Sequence, residues 1–450
     1  MNMKNTRSMR IVTIILIFIT TVYAQDHKRL TLTLGESVKL GLENSTSLHS
    51  SLMKVQSANA KSSEATASRL PKLSFGGTFT RLSEVPPYVV EIPFLPAPYN
   101  EFELSPAIYN NYMTKVSLQQ PLFTGFKVES GANMAELNSN ATEQDYRNDK
   151  TDLIFDIKNA YWNLFKTQQV KSVLDENISQ MQAHLKDVQN MLSQGLATNN
   201  DVLKVEVQLS NVELSQLDMA NNIQLAMLNL NFLINQPLDT EIELSSSPSD
   251  SESAVIESLD QLVSNALAQR SDVKGMEYRV KASEAGVSFA QSGWYPQLYL
   301  VGNYYYSRPN QRILPTQDRF DDTWDASLSI SFDIWNWGQT HAQVQQAEAQ
   351  LEQANDGLIQ IRKGIAMEVT SSYLSLKKSR ESIALAGQGV KQAEENYRIT
   401  NEKFKAGLAS NSDVLDAEVA MLQAKTNYTN SLVDFELAQA HLQKSLGELE

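Results

Sequence analysis

Cysteine is absent from all 450 residues of the sequence, which excludes a disulfide framework, a cysteine nucleophile and a thiol-linked lipid anchor. An excess of basic residues is also missing, because 38 Lys and Arg stand against 52 Asp and Glu and the formal net charge is −14. Nucleic acid binds clustered positive charge, so no nucleic-acid partner is expected. Beyond the first residues there is no run of about 18 apolar residues, so any insertion into a membrane would have to use β-strands.

The first 24 residues are typical of a secretory signal peptide. A basic segment at 4–10 precedes an apolar run at 11–19 and a small-residue cleavage site at 22–24. The alternative is an uncleaved anchor helix, but the apolar run is shorter than the roughly 20 residues that a span requires. We therefore expect the exported, mature chain to begin at Gln25.

One short stretch occurs twice in the chain, at 195–206 and again at 407–418, an offset of 212 residues. Each copy lies between two proline-free segments whose apolar residues recur at helical spacing. In both copies Gly can end one helix in the left-handed conformation, and Ser, Thr, Asn or Asp can cap the next helix. The pattern predicts a tight turn between antiparallel helices, and a chain made of two fused copies of one unit.

Both predicted copies have the same order of elements, namely helix, β-hairpin, long helix, tip and helix. The first copy covers 25–235, with a hairpin at 72–121, a long helix at 126–194 and a second helix at 200–233. The second copy covers 254–450, with the corresponding elements at 297–334, 338–406 and 413–446. An acidic, serine-rich stretch at 236–253 is predicted to be a surface linker between them.

The predicted strands alternate apolar with polar residues, most clearly at 324–334. Segments of about ten residues suit a tilted strand that crosses a bilayer. Four strands cannot close a barrel, and an open sheet edge cannot lie in lipid with its backbone groups unpaired, so the chain is expected to oligomerise. A soluble sheet with one wet face is the alternative. The proline-rich segment at 85–106 is predicted to be an external loop.

The chain resembles the TolC-like outer-membrane efflux family in four features. These are the repeat, the helices that end at Pro71 and Pro296 before strands, the two tips, and the segment Ala-Leu-Ala-Gln-Arg-Ser-Asp at 266–272. The resemblance implies an α+β membrane protein that forms a homotrimer. Long coiled-coil hairpins would form a periplasmic α-barrel, and each chain would add four strands to a 12-stranded transmembrane β-barrel. It also implies a passive exit duct for a tripartite efflux or type I secretion complex, in the outer membrane and extending into the periplasm. Its implied partners are outer-membrane lipid, a periplasmic adaptor (membrane fusion protein) and an inner-membrane RND or ABC pump.

In this family two Asp residues, three positions apart in the second tip, line the periplasmic entrance. They fall here on Asp413 and Asp416. This spacing places both on one helix face, so three chains would stack two carboxylate rings that favour cations. A helix cap is the alternative role for Asp413, although it does not explain Asp416. Asp201 is the counterpart of Asp413 in the first tip.

In the family's best-known channel, a Tyr and an Arg donate hydrogen bonds to the position of Asp201 on a neighbouring tip, and this lock holds the entrance closed. The positions of that Tyr and Arg are occupied here by Phe404 and Ala409. Neither side chain can donate a hydrogen bond. We therefore expect the closed entrance to depend on coiled-coil packing.

Four tip residues resemble the family's adaptor-docking positions, with a helix-ending glycine and a local apolar contact as the alternative. These are Gly195, Leu196, Gly407 and Leu408.

Catalysis is not predicted, and no cofactor or metal is expected. The five histidines have no metal-ligand spacing, and no glycine-rich phosphate loop follows a strand. A histidine on a helix is expected at the surface. The remaining alternative is a periplasmic coiled-coil scaffold or adaptor outside the membrane, which would require short glycine-rich strands on both sides of the helical hairpin.

Overall fold

The computed structural model describes residues 29–84, 86–248 and 258–449. The predicted signal peptide and the end of the predicted linker lie outside these ranges. Within them most residues are helical, and the strands form three sheets. The described helices include none with the length and apolar composition of a membrane span.

The elements follow one another in an order that repeats from the first half of the chain to the second. The helices are α1 (Leu34–Asn44), α2 (Thr46–Ala67), α3 (Lys127–Ser193), α4 (Asn199–Leu233), α5 (Leu259–Gln269), α6 (Ser271–Gln291), α7 (Gln339–Lys405) and α8 (Asn411–Leu446). The strands are β1 (Leu30–Leu32), β2 (Lys72–Arg81), β3 (Tyr88–Glu91), β4 (Glu101–Ser105), β5 (Asn110–Phe123), β6 (Ile242–Leu244), β7 (Gln297–Arg308) and β8 (Asp321–Ser331).

The long helices α3 and α7 contain 67 residues each. At 1.5 Å per residue each is about 100 Å long, because no proline interrupts either one. Both begin after a pair of left-handed residues, Gly125 and Phe126 before α3 and Trp337 and Gly338 before α7. The two pairs are also 212 residues apart, so the turn from strand to helix is built in the same way in both halves.

The largest sheet is antiparallel, with the order β2-β5-β7-β8. Each hairpin lies where the alternation predicts it, and β5 pairs with β7 to join the two halves, for example with Val116 opposite Tyr304. β8 ends at Ser331, three residues earlier than predicted. The proline-rich segment is not entirely a loop, since β3 and β4 form a small ribbon within it.

The predicted surface linker is only partly at the surface. β6 lies within it and pairs in parallel with β1, and Ile242 is buried. The buried Tyr161 explains this arrangement, because its hydroxyl needs partners once it leaves water. It donates to the carbonyl of Leu32 at 3.2 Å and accepts from the backbone N–H of Ser246 at 2.9 Å. These two hydrogen bonds attach β1 and the segment that follows β6 to α3.

The apolar core is divided into clusters along the helices rather than gathered at one centre. The largest surrounds Ile157, Trp162 and Leu230 on α3 and α4. A second lies between α5, α7 and α8, and two smaller ones follow the helices toward the tips. In the half nearest the tips, α3 and α8 lie in the middle of one helical layer, with α4 and α7 at its edges.

Candidate functional site at the helical tips

The two tips end their long helices in the same way. Gly195 and Gly407 have φ of 72° and 74°, a conformation that favours glycine. The next residue then donates its N–H back into the helix, Leu196 to the carbonyl of Met191 and Leu408 to that of Lys403, both at 2.8 Å. This is the bond pattern of a Schellman motif.

The two tip leucines are mostly exposed to solvent. Leu196 is 74% exposed and Leu408 is 79% exposed. Nothing lies within 4 Å of a Cβ placed on Gly195 or Gly407. The glycines are therefore required by the backbone angle, and the leucines project as apolar knobs from the end of the molecule.

The helices that leave the tips carry reciprocal caps, so Asp201 and Asp413 both have a capping role. The Asp413 carboxylate accepts from the hydroxyl of Ser410 at 2.7 Å and from its N–H at 2.8 Å. Asp201 accepts in the same way from Thr198 at 2.6 and 3.0 Å. These hydrogen bonds, led by the one from the hydroxyl, lower the pKa of both carboxyl groups. Both aspartates are thus held in the ionised form.

Asp416 lies one helical turn beyond Asp413 and is exposed. Its counterpart in the first repeat is Lys204, whose ammonium group donates to the hydroxyl of Ser412 at 3.1 Å. The first tip therefore presents a cation to the second. Only the second tip has the paired carboxylates.

Phe404 and Ala409 both belong to a packed cluster at the base of the tips. Phe404 is buried against four valines from α3, α4 and α8, and Ala409 packs on the same cluster. The valines are Val188, Val202, Val205 and Val414. Both positions at which the resemblance placed a hydrogen-bonded lock are thus packed among apolar side chains.

The expectation that helical histidines lie at the surface is wrong for His184, which is 4% exposed. Its Nε2 lies 2.8 Å from the amide oxygen of Asn411. Burial lowers the pKa of His184, while the bond to Asn411 opposes that effect. Asn411 in turn donates to the backbone carbonyl of Asp201 at 3.0 Å, so three helices meet at one amide.

Glu418 is a buried acid that was not predicted from the sequence. It is 1% exposed, and burial raises its pKa to about 7. One signal was available in the sequence, because Glu418 shares the apolar face of α8 with Val414 and Met421 at spacings of four and three. Its counterpart in the first repeat, Glu206, is exposed.

The four-stranded sheet β2-β5-β7-β8 lies at the opposite end of the long helices from the tips, and it has one apolar and one polar face. Its apolar face is exposed, with Phe75 and Trp324 each 74% exposed and Ile330 71% exposed. On the polar face Asn303 donates to Asp325 at 2.7 Å and accepts from Ser117 at 2.9 Å. Within the ranges that the structure describes, no cluster of His, Asp or Glu could hold a metal ion.

Comparison with known proteins identifies relatives along most of the chain. The sequence profile of the outer membrane efflux proteins matches residues 38–236 and 262–448. The outer membrane efflux protein BepC of Brucella suis biovar 1 (strain 1330) is 22% identical over 318 residues, 69% of this chain and 68% of BepC. The outer membrane protein TolC of Escherichia coli (strain K12) is 23% identical over 357 residues, 76% of this chain and 70% of TolC.

The fold is also found among solved structures. The Campylobacter jejuni CmeC outer membrane channel superposes with a TM-score of 0.79 at 18% identity, covering 93% of this chain and 86% of CmeC. This likeness extends through both halves of the chain. Because the family profile also matches both halves and more than half of all residues, the chain belongs to the outer membrane efflux protein family.

Proposed function

We propose that three copies of this chain form a passive exit duct, with a 12-stranded β-barrel in the outer membrane and an α-barrel in the periplasm. The observation that carries this proposal is the four-stranded sheet. Its apolar face lies open on the side away from the polar network, where water would be an unfavourable neighbour and lipid a favourable one.

The edges of the sheet support assembly. Among the described residues β2 and β8 each pair on one side only, and both edges belong to the sheet with the open apolar face. Unpaired backbone groups are costly in lipid, so β2 of one copy would pair with β8 of the next. Three such contacts would remove every edge.

The edges of the helical layer present matching apolar surface. α4 has a row of exposed apolar residues at spacings typical of a coiled coil, and α7 has another. The α4 residues are Leu203, Val207, Leu214, Leu217, Leu225 and Phe232, and those of α7 are Ile359, Met367, Leu374, Leu385 and Ile399. We infer that α4 of one copy packs on α7 of the next.

The tips are then the periplasmic entrance of the duct. Three copies would bring together Asp413 and Asp416 as two acidic rings, and the low pKa of Asp413 would keep its ring charged. Phe404 would hold the entrance closed by packing in place of a hydrogen-bonded lock.

The projecting Leu196 and Leu408 suit docking of a periplasmic adaptor, because each offers an exposed apolar side chain on a fixed turn. An inner-membrane RND or ABC pump would supply the cargo and the energy. The division into two fused units, 25–235 and 254–450, is part of the same proposal, and the equivalent turns before α3 and α7 support it.

Fractionation of cells tests the proposal. We expect the protein with the outer membranes, as a trimer in detergent that dissociates on heating. Recovery as a soluble periplasmic monomer would instead support a coiled-coil scaffold.

A further inference from the structure

Glu418 occupies a position where a charged group is unfavourable. It lies on α8, two helical turns after the cap at Ser410, and only 1% of its surface is exposed. Neither carboxylate oxygen has a hydrogen-bond partner of normal geometry. A buried carboxylate without partners favours its neutral, protonated form.

Near the tip, titratable and charged side chains come from α7, α3 and α4, three of the helices that contact α8. They are Tyr397 and Lys405 on α7, His184 and Asp187 on α3, and Asp201 and Lys204 on α4. Each cation has another neighbour, since Lys405 lies 3.9 Å from Asp187 and Lys204 bonds to Ser412. Within the described ranges no cation forms an ion pair with Glu418.

Tyr397 is the one group among these that acts on the carboxyl of Glu418. Burial raises the pKa of Glu418 to about 7, and the Tyr397 hydroxyl opposes that rise. Burial and the neighbouring carboxylate also raise the pKa of Tyr397 to about 12, so the phenol keeps its proton at neutral pH. Tyr397 is therefore a weak partner for the ionised acid and cannot replace the water that the acid has lost.

The first repeat does not share this feature. Glu206 corresponds to Glu418 at the repeat offset of 212 residues, yet it is exposed on α4. The two tips have the same turns and the same caps. One difference between them is the burial of this carboxyl group, so Glu206 serves as an exposed control for Glu418.

We propose that Glu418 is a proton-controlled latch of the second tip: the protonated side chain allows α8 to pack against α3 and α7, and loss of the proton favours separation of these helices. The proposal rests on the proposed function only in taking the tip to be the channel entrance. The packing change itself does not require conduction.

The direction of the pH effect follows from the raised pKa. The packed tip binds the proton of Glu418 more tightly than an opened tip, in which the carboxyl group would meet water. Acid therefore stabilises the packed tip through Glu418, and a rise in pH through about 7 favours opening. His184 acts in the opposite direction, because burial disfavours its protonated form.

Hydrogen exchange on the full chain, purified in detergent, measures the opening directly. The readout is the protection of amides at 411–421, corrected for intrinsic exchange rates, at pH 5.5 and pH 7.5. The result is expressed as the protection in Glu418→Gln divided by the protection in the wild type. His184 is present in both proteins, so its effect on protection cancels in this ratio. We expect this ratio to rise on the order of tenfold between the two pH values. A constant ratio would overturn the proposal.

Two further variants complete the experiment. Glu206→Gln removes the exposed counterpart and should follow the wild type at both pH values. Tyr397→Phe removes the hydroxyl that favours the ionised acid, so the midpoint of a protection series measured between pH 5.5 and pH 7.5 should move upward. If Glu418→Gln fails to fold, Tyr397→Phe decides the question, and an unchanged midpoint rejects the latch. Conductance measured separately tests the channel, so failure of the latch and failure of the channel are distinguishable.

Discussion

His184 on α3 is joined to Asn411, the first residue of α8, by a hydrogen bond of 2.8 Å between Nε2 and the amide oxygen. The same asparagine donates to the backbone of Asp201 at 3.0 Å. The side-chain amide of Asn411 therefore joins three helices: α3, which leads into the first tip, α4, which leaves it, and α8, which leaves the second tip. Because His184 and Asn411 are both buried, water cannot replace these bonds.

Replacement of Asn411 by Ala should loosen the tips. The change leaves the buried Nε2 of His184 without its partner and removes the side-chain bond to the Asp201 carbonyl, at a cost of about 1–3 kcal/mol. We expect faster hydrogen exchange in the first turns of α4 and α8. Asn199→Ala is the matched control, because Asn199 holds the equivalent position at the start of α4 but is exposed. Equal effects of the two changes would show that the buried amide has no special role.

Replacement of Phe404 by Ala should open the entrance. It removes a buried ring from the valine cluster and leaves a cavity, a change that typically costs about 3–5 kcal/mol. In planar bilayers we expect longer or more frequent open periods than in the wild type. Phe94→Ala serves as the control, since Phe94 is 85% exposed and far from the cluster in sequence. If the open time of Phe404→Ala equals that of the wild type, packing does not hold the tips closed.

A charge on the apolar face of β8 should prevent membrane insertion. Leu328→Lys places an ammonium group toward lipid, at a cost of about 2–4 kcal/mol near the bilayer midplane. Its neighbour Ser327 points to the opposite, polar face, so Ser327→Lys should insert normally. The measurement is the amount of heat-labile trimer in the outer-membrane fraction. Similar losses for the two variants would contradict the assignment of the faces.

Removal of the acidic pair should abolish cation preference. Asp416→Asn removes one exposed carboxylate that has no capping role, so selectivity should fall without loss of stability. Asp413→Asn with Asp416→Asn should remove the preference altogether, because both rings lose their charge. Reversal potentials in a salt gradient give the result, with Glu206→Gln as a control that removes a carboxylate from the first tip. Unchanged selectivity in the double variant would disprove the ring.

Much of the fold could be predicted because its signals are local. The absence of proline allows α3 and α7 to continue for 67 residues, and the glycine and cap residues of each tip mark where they turn. Alternation along β8 similarly predicts which side chains share a face, because the side-chain period of a strand is two.

The remaining features depend on contacts between distant segments. β6 is a strand because it pairs with β1, more than 200 residues earlier, beside the hydroxyl of Tyr161. The burial of His184 and Glu418 depends on which helix faces meet, and identical spacing leaves Glu206 exposed. Periodicity identifies a helix face but does not say which neighbour covers it.

We infer that this outer membrane efflux protein conducts as a trimer. Single-channel recording in planar bilayers tests it most directly, with the protein purified from outer membranes and compared before and after heating. We expect discrete, cation-preferring currents from the unheated trimer and none from the dissociated chains. Intact trimers that give no current, or currents that survive dissociation, would contradict it.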